Sequence, residues 1–348
     1  MVHNPPPLSG FTLEELENIL KPLPRFRAAQ IFKWIADGVS GFEEMSNLPQ
    51  SLRNELAEKF ILRPSAVVEK HCGDDGSVKL ALQFSDGPWV EAVLLTDGSG
   101  RRGLQGRRTV CLSTQAGCPA GCVFCKTGTG FSRNLSSAEI VEQFLLLAGH
   151  DARPVSNIVV MGMGEPLLNL PELRRALAVI TCKQGIGFSK RRITVSTCGI
   201  AEGIDDIAAN GPNVRLALSL TTADEDLRRR LMPITASRPL CEVKEALMGF
   251  QERGGGRVTL EAVLLGSVNT RLEDAQSIAN FAEGLDAVVN LIPWNPVEGL
   301  EFEGKALCWP SNTEVETFTR ELEKLGLKVT RRFRRGRGVM GACGQLGK

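Results

Sequence analysis

Three thiols stand within eight residues in the segment QAGCPAGCVFCKTG: Cys118, Cys122 and Cys125, spaced C-x3-C-x2-C. A structural zinc site draws pairs of Cys or His from separate loops, and His3, His71 and His150 form no second pair here. Cys111 remains as a candidate fourth zinc ligand, and three merely packed thiols are the plainest alternative. Thiolates wrapped tightly from one loop suit an iron-sulfur cubane. Three ligands for four irons would leave one iron an open position, which fits binding and chemistry at the cluster better than simple electron transfer. Further along, VVMGMGEPLLN places Gly162, Gly164 and Glu165 in sequence. Glycines there allow a ligand to approach the backbone, and a carboxylate can receive an ammonium group. The G-x-G alone is weak, because the third glycine of a dinucleotide fingerprint is missing.

Such groups need a scaffold, and the chain is long enough to build one. It has 348 residues, 43% hydrophobic, with 41 Lys plus Arg against 40 Asp plus Glu. A net charge of +1 advertises no global field for nucleic acid or an acidic membrane, so such a partner must be met by a local patch. Ten cysteines in a short secreted chain would suggest disulfides. This chain is long and opens with MVHNPPPLSG, without a basic n-region or apolar h-region, so a reducing, cytoplasmic setting is expected. The apolar runs are too short for a membrane helix.

Residues 1–65 read as a small helical domain, from FTLEELENILKP, RFRAAQIFKWIADG and SLRNELAEKFI. Residues 66–108 carry a linking strand pair, VKLALQF and WVEAVLL, and a Gly- and Arg-rich loop. From 109 to 335 a short strand, a loop and an amphipathic helix recur six times. The strands are TVCLST, NIVVMGMG, RITVSTCG, VRLALSLTT, RVTLEAVLL and AVVNLIPWNP. Six such units predict an α/β fold with a parallel sheet, short of the eight strands of a closed barrel. An open, partial (βα)6 TIM-like barrel is expected, with its site at the carboxyl ends of the strands, and residues 336–348 form a tail.

The cysteine loop after the first strand, followed by a partial barrel and a GGEP-like segment, resembles the radical S-adenosylmethionine (SAM) enzymes. A narrower resemblance, to the RlmN/Cfr family of radical SAM RNA (adenosine) methyltransferases, rests on TVCLSTQAGC, GFSRNLSSAEIVEQ, VVMGMGEPLLNL, FSKRRITVSTCG, VNLIPWNP, ACGQL and, near the amino terminus, FEEMSNLPQSLRNEL. These segments span nearly the whole chain. The resemblance implies one 4Fe-4S cluster on Cys118, Cys122 and Cys125, and SAM as the second cofactor, cleaved to a 5'-deoxyadenosyl radical. It implies SAM contacts at Gly164, Glu165, Ser196, Ser219, Leu220, Thr221 and Asn295. Carbon 2 of adenine is electron-poor, so the family methylates one of its own cysteines and then makes that methyl a radical. Cys343 in ACGQL occupies the carrier's place. Cys111 matches the thiol that frees the product by forming a disulfide with the carrier, and Glu91 matches the carboxylate that removes the ring proton.

The implied substrate is 23S rRNA, with tRNA as an additional candidate, and the implied partner is an electron donor such as flavodoxin; a monomer with no membrane association is expected. Carbon 8, the Cfr activity, is the alternative reaction. A non-catalytic RNA-binding protein with a structural metal is the alternative class. The chain departs from the family in having Thr221 where a histidine is usual, Lys126 after the last cluster cysteine, and GRGVM at 336–340 where an acidic segment is usual. Lys126 would shift a cluster's potential upward if its head pointed inward. Residues 328–348 carry seven Lys or Arg and no acid, and with Arg101, Arg102, Arg107, Arg108 and Lys190 to Arg192 they supply basic segments for RNA phosphates. An adenosine that reaches a site buried in a barrel must be flipped or single-stranded.

Overall fold

Alternation along the strands decides the architecture: one side of each central strand is apolar and packs against helices, and the other side is small and polar. The computed structural model describes residues 5–97, 106–331 and 337–347. Three helices come first, α1 (Leu13–Ile19), α2 (Arg25–Ala36) and α3 (Gln50–Lys59). Thr12 and Glu15 cap α1 reciprocally, each side chain accepting the other's backbone N–H. Strands β1 (Ser65–Cys72), β2 (Val78–Phe84) and β3 (Trp89–Thr96) follow as an antiparallel meander. The meander pairs through β3 with β4 (Arg108–Cys111), so it extends the main sheet.

After β4 a small hairpin, β5 (Gln115–Gly117) and β6 (Phe131–Asn134), frames the cysteine loop. Then come α4 (Ser137–Ala148), β7 (Asn157–Val160), α5 (Leu170–Thr181), β8 (Ile193–Thr197), α6 (Ala201–Asn210) and β9 (Arg215–Ser219). The series continues with α7 (Glu225–Leu231), α8 (Leu240–Glu252), β10 (Val258–Leu264), α9 (Leu272–Ala282) and β11 (Ala287–Pro293). A hairpin, β12 (Glu301–Phe302) with β13 (Lys305–Ala306), precedes α10 (Asn312–Lys324) and β14 (Val329–Arg331). The main sheet runs β1-β2-β3-β4-β7-β8-β9-β10-β11-β14, and β4 through β14 are parallel.

All six expected barrel strands are present. The structure adds β14 as a seventh parallel strand at the edge and β1 at the far edge, making the expected strand pair a three-stranded meander. Val110, Ile158, Val195, Leu216, Leu218 and Leu260 are fully buried on the helix side; each is worth ~1.5–3 kcal/mol of burial. The intervening residues Thr109, Cys111, Asn157, Val159, Thr194, Ala217, Thr259, Glu261 and Asn290 line one cavity. Residues from β3 round to β14 share that lining, so the sheet is curled into an open barrel. Its polar inner face leaves a cavity of about 890 Å³, where an apolar one would fill with side chains. No described helix is long and apolar enough to cross a membrane.

Candidate active site

The cysteine loop is shaped by backbone hydrogen bonds and glycines. Cys118 N–H donates to Gly130 O at 2.8 Å, closing the loop at its base, and Cys125 N–H donates to Cys122 O at 3.1 Å. A Cβ on Gly128 would come within 2.9 Å of Cys122 N, so this turn excludes any side chain there. The loop leans on α7 and the turn after it, through Val123 N–H to Leu231 O and Ile234 N–H to Ala120 O. Trp294 Nε1–H adds a bond to Phe124 O at 2.8 Å.

Burial pushes the Cys118 thiol up to about 12, although backbone N–H groups of Ala120 and Gly164 at its sulfur oppose the shift. Burial raises Cys122 and Cys125 as well. Three half-buried thiols in one loop, disfavoured as bare thiolates, suit a positively charged group such as iron, and N–H groups aimed at sulfur are the surroundings a cluster thiolate uses. The donor set fits the cluster. No three His, Cys, Asp or Glu side chains among the described residues converge on a single metal ion, the loop thiols included. Cys111 lies in the barrel wall.

Gly162 and Gly164 are closely packed against the chain itself. A Cβ on Gly162 would meet Ser113 Oγ at 2.5 Å, and one on Gly164, at φ +107°, would meet the Gln115 side chain at 2.6 Å. The chain's own neighbouring strand makes that close approach. Glu165 is buried, and both carboxylate oxygens accept backbone N–H groups, Leu167 at 3.0 Å and Cys198 at 2.7 Å. Burial raises its pKa while those N–H groups pull it down. Glu165 therefore ties the ends of β7 and β8 together.

On the next strand ends Ser196 Oγ and Ser219 Oγ are 3.1 Å apart, and Ser196 Oγ also donates to Glu261 Oε2 at 3.3 Å. Leu220 is wholly buried, so only its backbone can serve a ligand, and its carbonyl already accepts Arg228 Nε–H. Thr221 has φ +61°, an unusual conformation for a β-branched residue. Its N–H donates to Glu261 O at 2.9 Å, and its buried hydroxyl has no hydrogen-bond partner among the described residues.

Cys111, Asn295 and Cys343 line the same cavity. No disulfide joins any of the described cysteines. The disulfide that the resemblance implied is thus not part of this fold, where both sulfurs remain thiols. Asn295 Nδ2–H donates to Cys343 O at 2.9 Å, so the residue expected to contact SAM also holds the backbone of the expected carrier. Lys126 N–H donates to Gly344 O and Thr127 Oγ1–H to Leu346 O, fastening the tail to the cysteine loop. Glu91 is buried on β3, facing the tail along with Val93 and Leu95. Its Oε1 pairs with Lys79 Nζ at 2.8 Å and its Oε2 accepts Gly347 N–H at 2.8 Å.

Three participants escape a reading of the sequence. Lys79 looks like an ordinary strand lysine until β2 pairs with β3. Glu261 is the lone acid in the apolar run RVTLEAVLL, a signal that was there to be read. Arg228 is almost wholly buried behind the strand ends, donating to the carbonyls of Cys198, Ser219 and Leu220. Among the basic segments, Arg108 proves to be buried and not an RNA-facing group, because Asp151 and the Arg153 carbonyl take its guanidinium. Arg107 and Lys190 to Arg192 are exposed. Arg101, Arg102 and residues 332–336 lie outside the described residues.

An open parallel barrel with three half-buried thiols in the loop after its first parallel strand is the arrangement expected of the radical SAM enzymes, and residues 112–281 match the Radical SAM superfamily. Residues 7–62 match the ribosomal RNA large subunit methyltransferase N-terminal domain. A radical SAM methyltransferase from Sphaerobacter thermophilus has a similar crystal structure, with TM-score 0.90 and 37% identity over 98% of this chain and 99% of that one. A probable dual-specificity RNA methyltransferase RlmN from Treponema denticola is 50% identical over 341 residues, 98% of this chain and 95% of the relative. Its counterpart from Thermus thermophilus is 42% identical over 95% of this chain and 93% of the relative. The chain belongs to the RlmN family, and it is an enzyme of the radical SAM methyltransferase class.

Proposed function

We propose that this enzyme methylates carbon 2 of an adenosine in 23S rRNA and in tRNA, through a methylated Cys343. The observation that carries the reading is the convergence of Cys111, Cys343 and Asn295 on one cavity beside the three-thiol loop. The printed names of the relatives, dual-specificity RNA methyltransferases, support an RNA substrate of more than one kind. In this reading Cys118, Cys122 and Cys125 would hold the 4Fe-4S cluster, and Gly164, Glu165, Ser196, Ser219, Leu220, Thr221 and Asn295 would contact SAM. Together they supply methyl-group transfer and one-electron chemistry, with electrons from a flavodoxin-type donor.

The protein's own groups do the rest. Cys343 gives up its thiol proton and takes the first methyl group. The carbon on sulfur would give up one hydrogen atom to the one-electron chemistry the cofactors supply and bond to carbon 2 of the ring; the adduct returns one electron, and Glu91 accepts the displaced ring proton. Lys79 keeps Glu91 paired and pointed at the tail. Cys111, as thiolate, attacks the Cys343 sulfur, so the carbon–sulfur bond breaks as the disulfide forms; its electron pair stays on the carbon, which takes up a proton to become the product methyl, and later reduction restores both thiols.

The test is mass spectrometry of nucleosides from rRNA and tRNA of a strain lacking this protein, complemented with the parent or with Cys343→Ala. Carbon-2 methyladenosine should return only with the parent. Its return with Cys343→Ala would refute the carrier role, and a missing carbon-8 isomer would point to the Cfr reaction.

A further inference from the structure

The cavity has two ends, and among the described residues the tail covers only one. At the carboxyl end lie Pro293, Asn295 and the tail residues Gly341, Ala342, Cys343 and Leu346. The tail is tied down there through Cys343 O, Gly344 O, Leu346 O and Gly347 N–H. At the amino end the lining is Arg107, Ser156, Asn157, Arg192 and Arg215, and all three arginines are exposed.

Strand register places these arginines on one face. Arg215 pairs with Thr194, which stands two residues after Arg192, and Arg107 stands two residues before Thr109, the partner of Asn157. Arg107 and Arg192 stand just ahead of β4 and β8 and Arg215 opens β9, and with Asn157 they form an arc of cavity-lining residues across the strand mouths. Neighbouring strands are ~4.8 Å apart, so the arc spans about 15 Å. Several other arginines are paired, among them Arg108 with Asp151, Arg133 with Glu139 and Arg174 with Asp206. Among the described residues no Asp or Glu forms an ion pair with Arg107, Arg192 or Arg215.

Four residues of strand separate Arg107 from Cys111, and four separate Arg215 from Ser219. At ~3.3 Å per residue that is about 13 Å, comparable to the reach of one extended nucleotide from its phosphate. The wall between is polar, with Thr109, Thr194, Thr259 and Asn290 offering donors and acceptors to a base edge.

We propose that the target nucleotide enters the barrel by this amino-terminal mouth, its neighbouring phosphates held by Arg107, Arg192 and Arg215 while its base reaches toward the thiols. The inference rests on the RNA-methyltransferase reading and adds the side from which RNA comes and the residues that receive it. A solvent-facing basic patch would be indifferent to what lies behind it. These side chains edge the same cavity that holds Cys111 and Cys343.

The test uses the full chain with its cluster reconstituted and a fluorescent RNA hairpin containing an unpaired adenosine. Binding is followed by anisotropy between about 50 and 200 mM salt. Arg192→Ala/Arg215→Ala should weaken binding and flatten the plot of log affinity against log salt by about 0.7 for each arginine removed, as expected for single-stranded contacts. Lysine at both positions should restore the slope. Arg229→Ala, which removes an exposed arginine outside the cavity, should leave it unchanged. An unchanged slope in the double alanine variant, with its fold checked by circular dichroism, overturns the proposal, as does an equal loss in Arg229→Ala. Displacement of the RNA by polyglutamate as readily as by polyuridylate would overturn it in favour of an acidic polypeptide. Failure of the parent protein to bind RNA would instead count against the function reading itself.

Discussion

At the carboxyl end of the barrel cavity nearly every polar group has a partner: Glu91 has Lys79 and Gly347, Asn295 has the Cys343 carbonyl, and Glu165 has two backbone N–H groups. At the amino end Arg107, Arg192 and Arg215 stand exposed, with no ion pair among the described residues. The first kind of surface costs no reorganisation when a reaction occurs, because its dipoles are already fixed. The second leaves charge free for a ligand that brings its own phosphates. The difference teaches how the two proposed tasks divide, chemistry at one end of the strands and recognition at the other, so damage at one end should have a different signature from damage at the other.

The largest effect should come from the cluster loop. Cys122→Ser is expected to lose most of the iron bound by the parent protein and all methylation. Iron analysis after anaerobic reconstitution checks this, and full iron retention would remove Cys122 from the ligand set. Glu91→Gln should retain iron and Cys343 methylation while turnover falls by about 10²-fold or more, the usual contribution of a positioned base. Intact-protein mass spectrometry beside single-turnover assays separates the two, and parent-like turnover would sink the proton-acceptor role. Both variants should bind RNA with the parent's salt dependence, since both alter the carboxyl end. A changed slope in either would break the division between the two ends.

The smallest effect on activity is expected far from both. Glu142 on α4 is buried against Ser65, and burial pushes its pKa up to about 7. An acid whose pKa is raised by folding contributes its full stability below the ordinary carboxyl value of 4.5 and loses it as pH rises through about 7. Glu142→Gln should therefore raise Tm by about 2 °C or more relative to the parent at pH 8 and by less at pH 5. An equal difference at both pH values would contradict it, and methylation should not change.

Local features were legible in the sequence and long-range ones were not. The cysteine loop, the barrel strands and the helices between them announce themselves within short windows. β1 does not, because SAVVEKHC is exposed along almost its whole length and lacks the alternation of a half-buried strand. β14 is three residues long, and α7 is hidden in the charged run EDLRRRL. Glu91, Cys111 and Cys343 could be singled out only by resemblance, since each alone looks like an ordinary strand or tail residue. Lys79, Glu261 and Arg228 show why: a charged side chain in a sequence looks solvated until pairing supplies its partner. Arg108 is the converse, a residue that read as surface charge and is enclosed by Asp151.

The alternation within the barrel strands has a consequence for how this enzyme can change over generations. In β9, Leu216 and Leu218 belong to the packing between sheet and helices, whereas Arg215, Ala217 and Ser219 belong to the cavity side. In β10, Leu260 and Ala262 serve the first purpose and Thr259 and Glu261 the second. Two messages are thus interleaved in one text, distinguished only by odd and even position. Substrate preference can drift along one parity while the other keeps the fold above its stability threshold, and a shift of register by a single residue would scramble both at once.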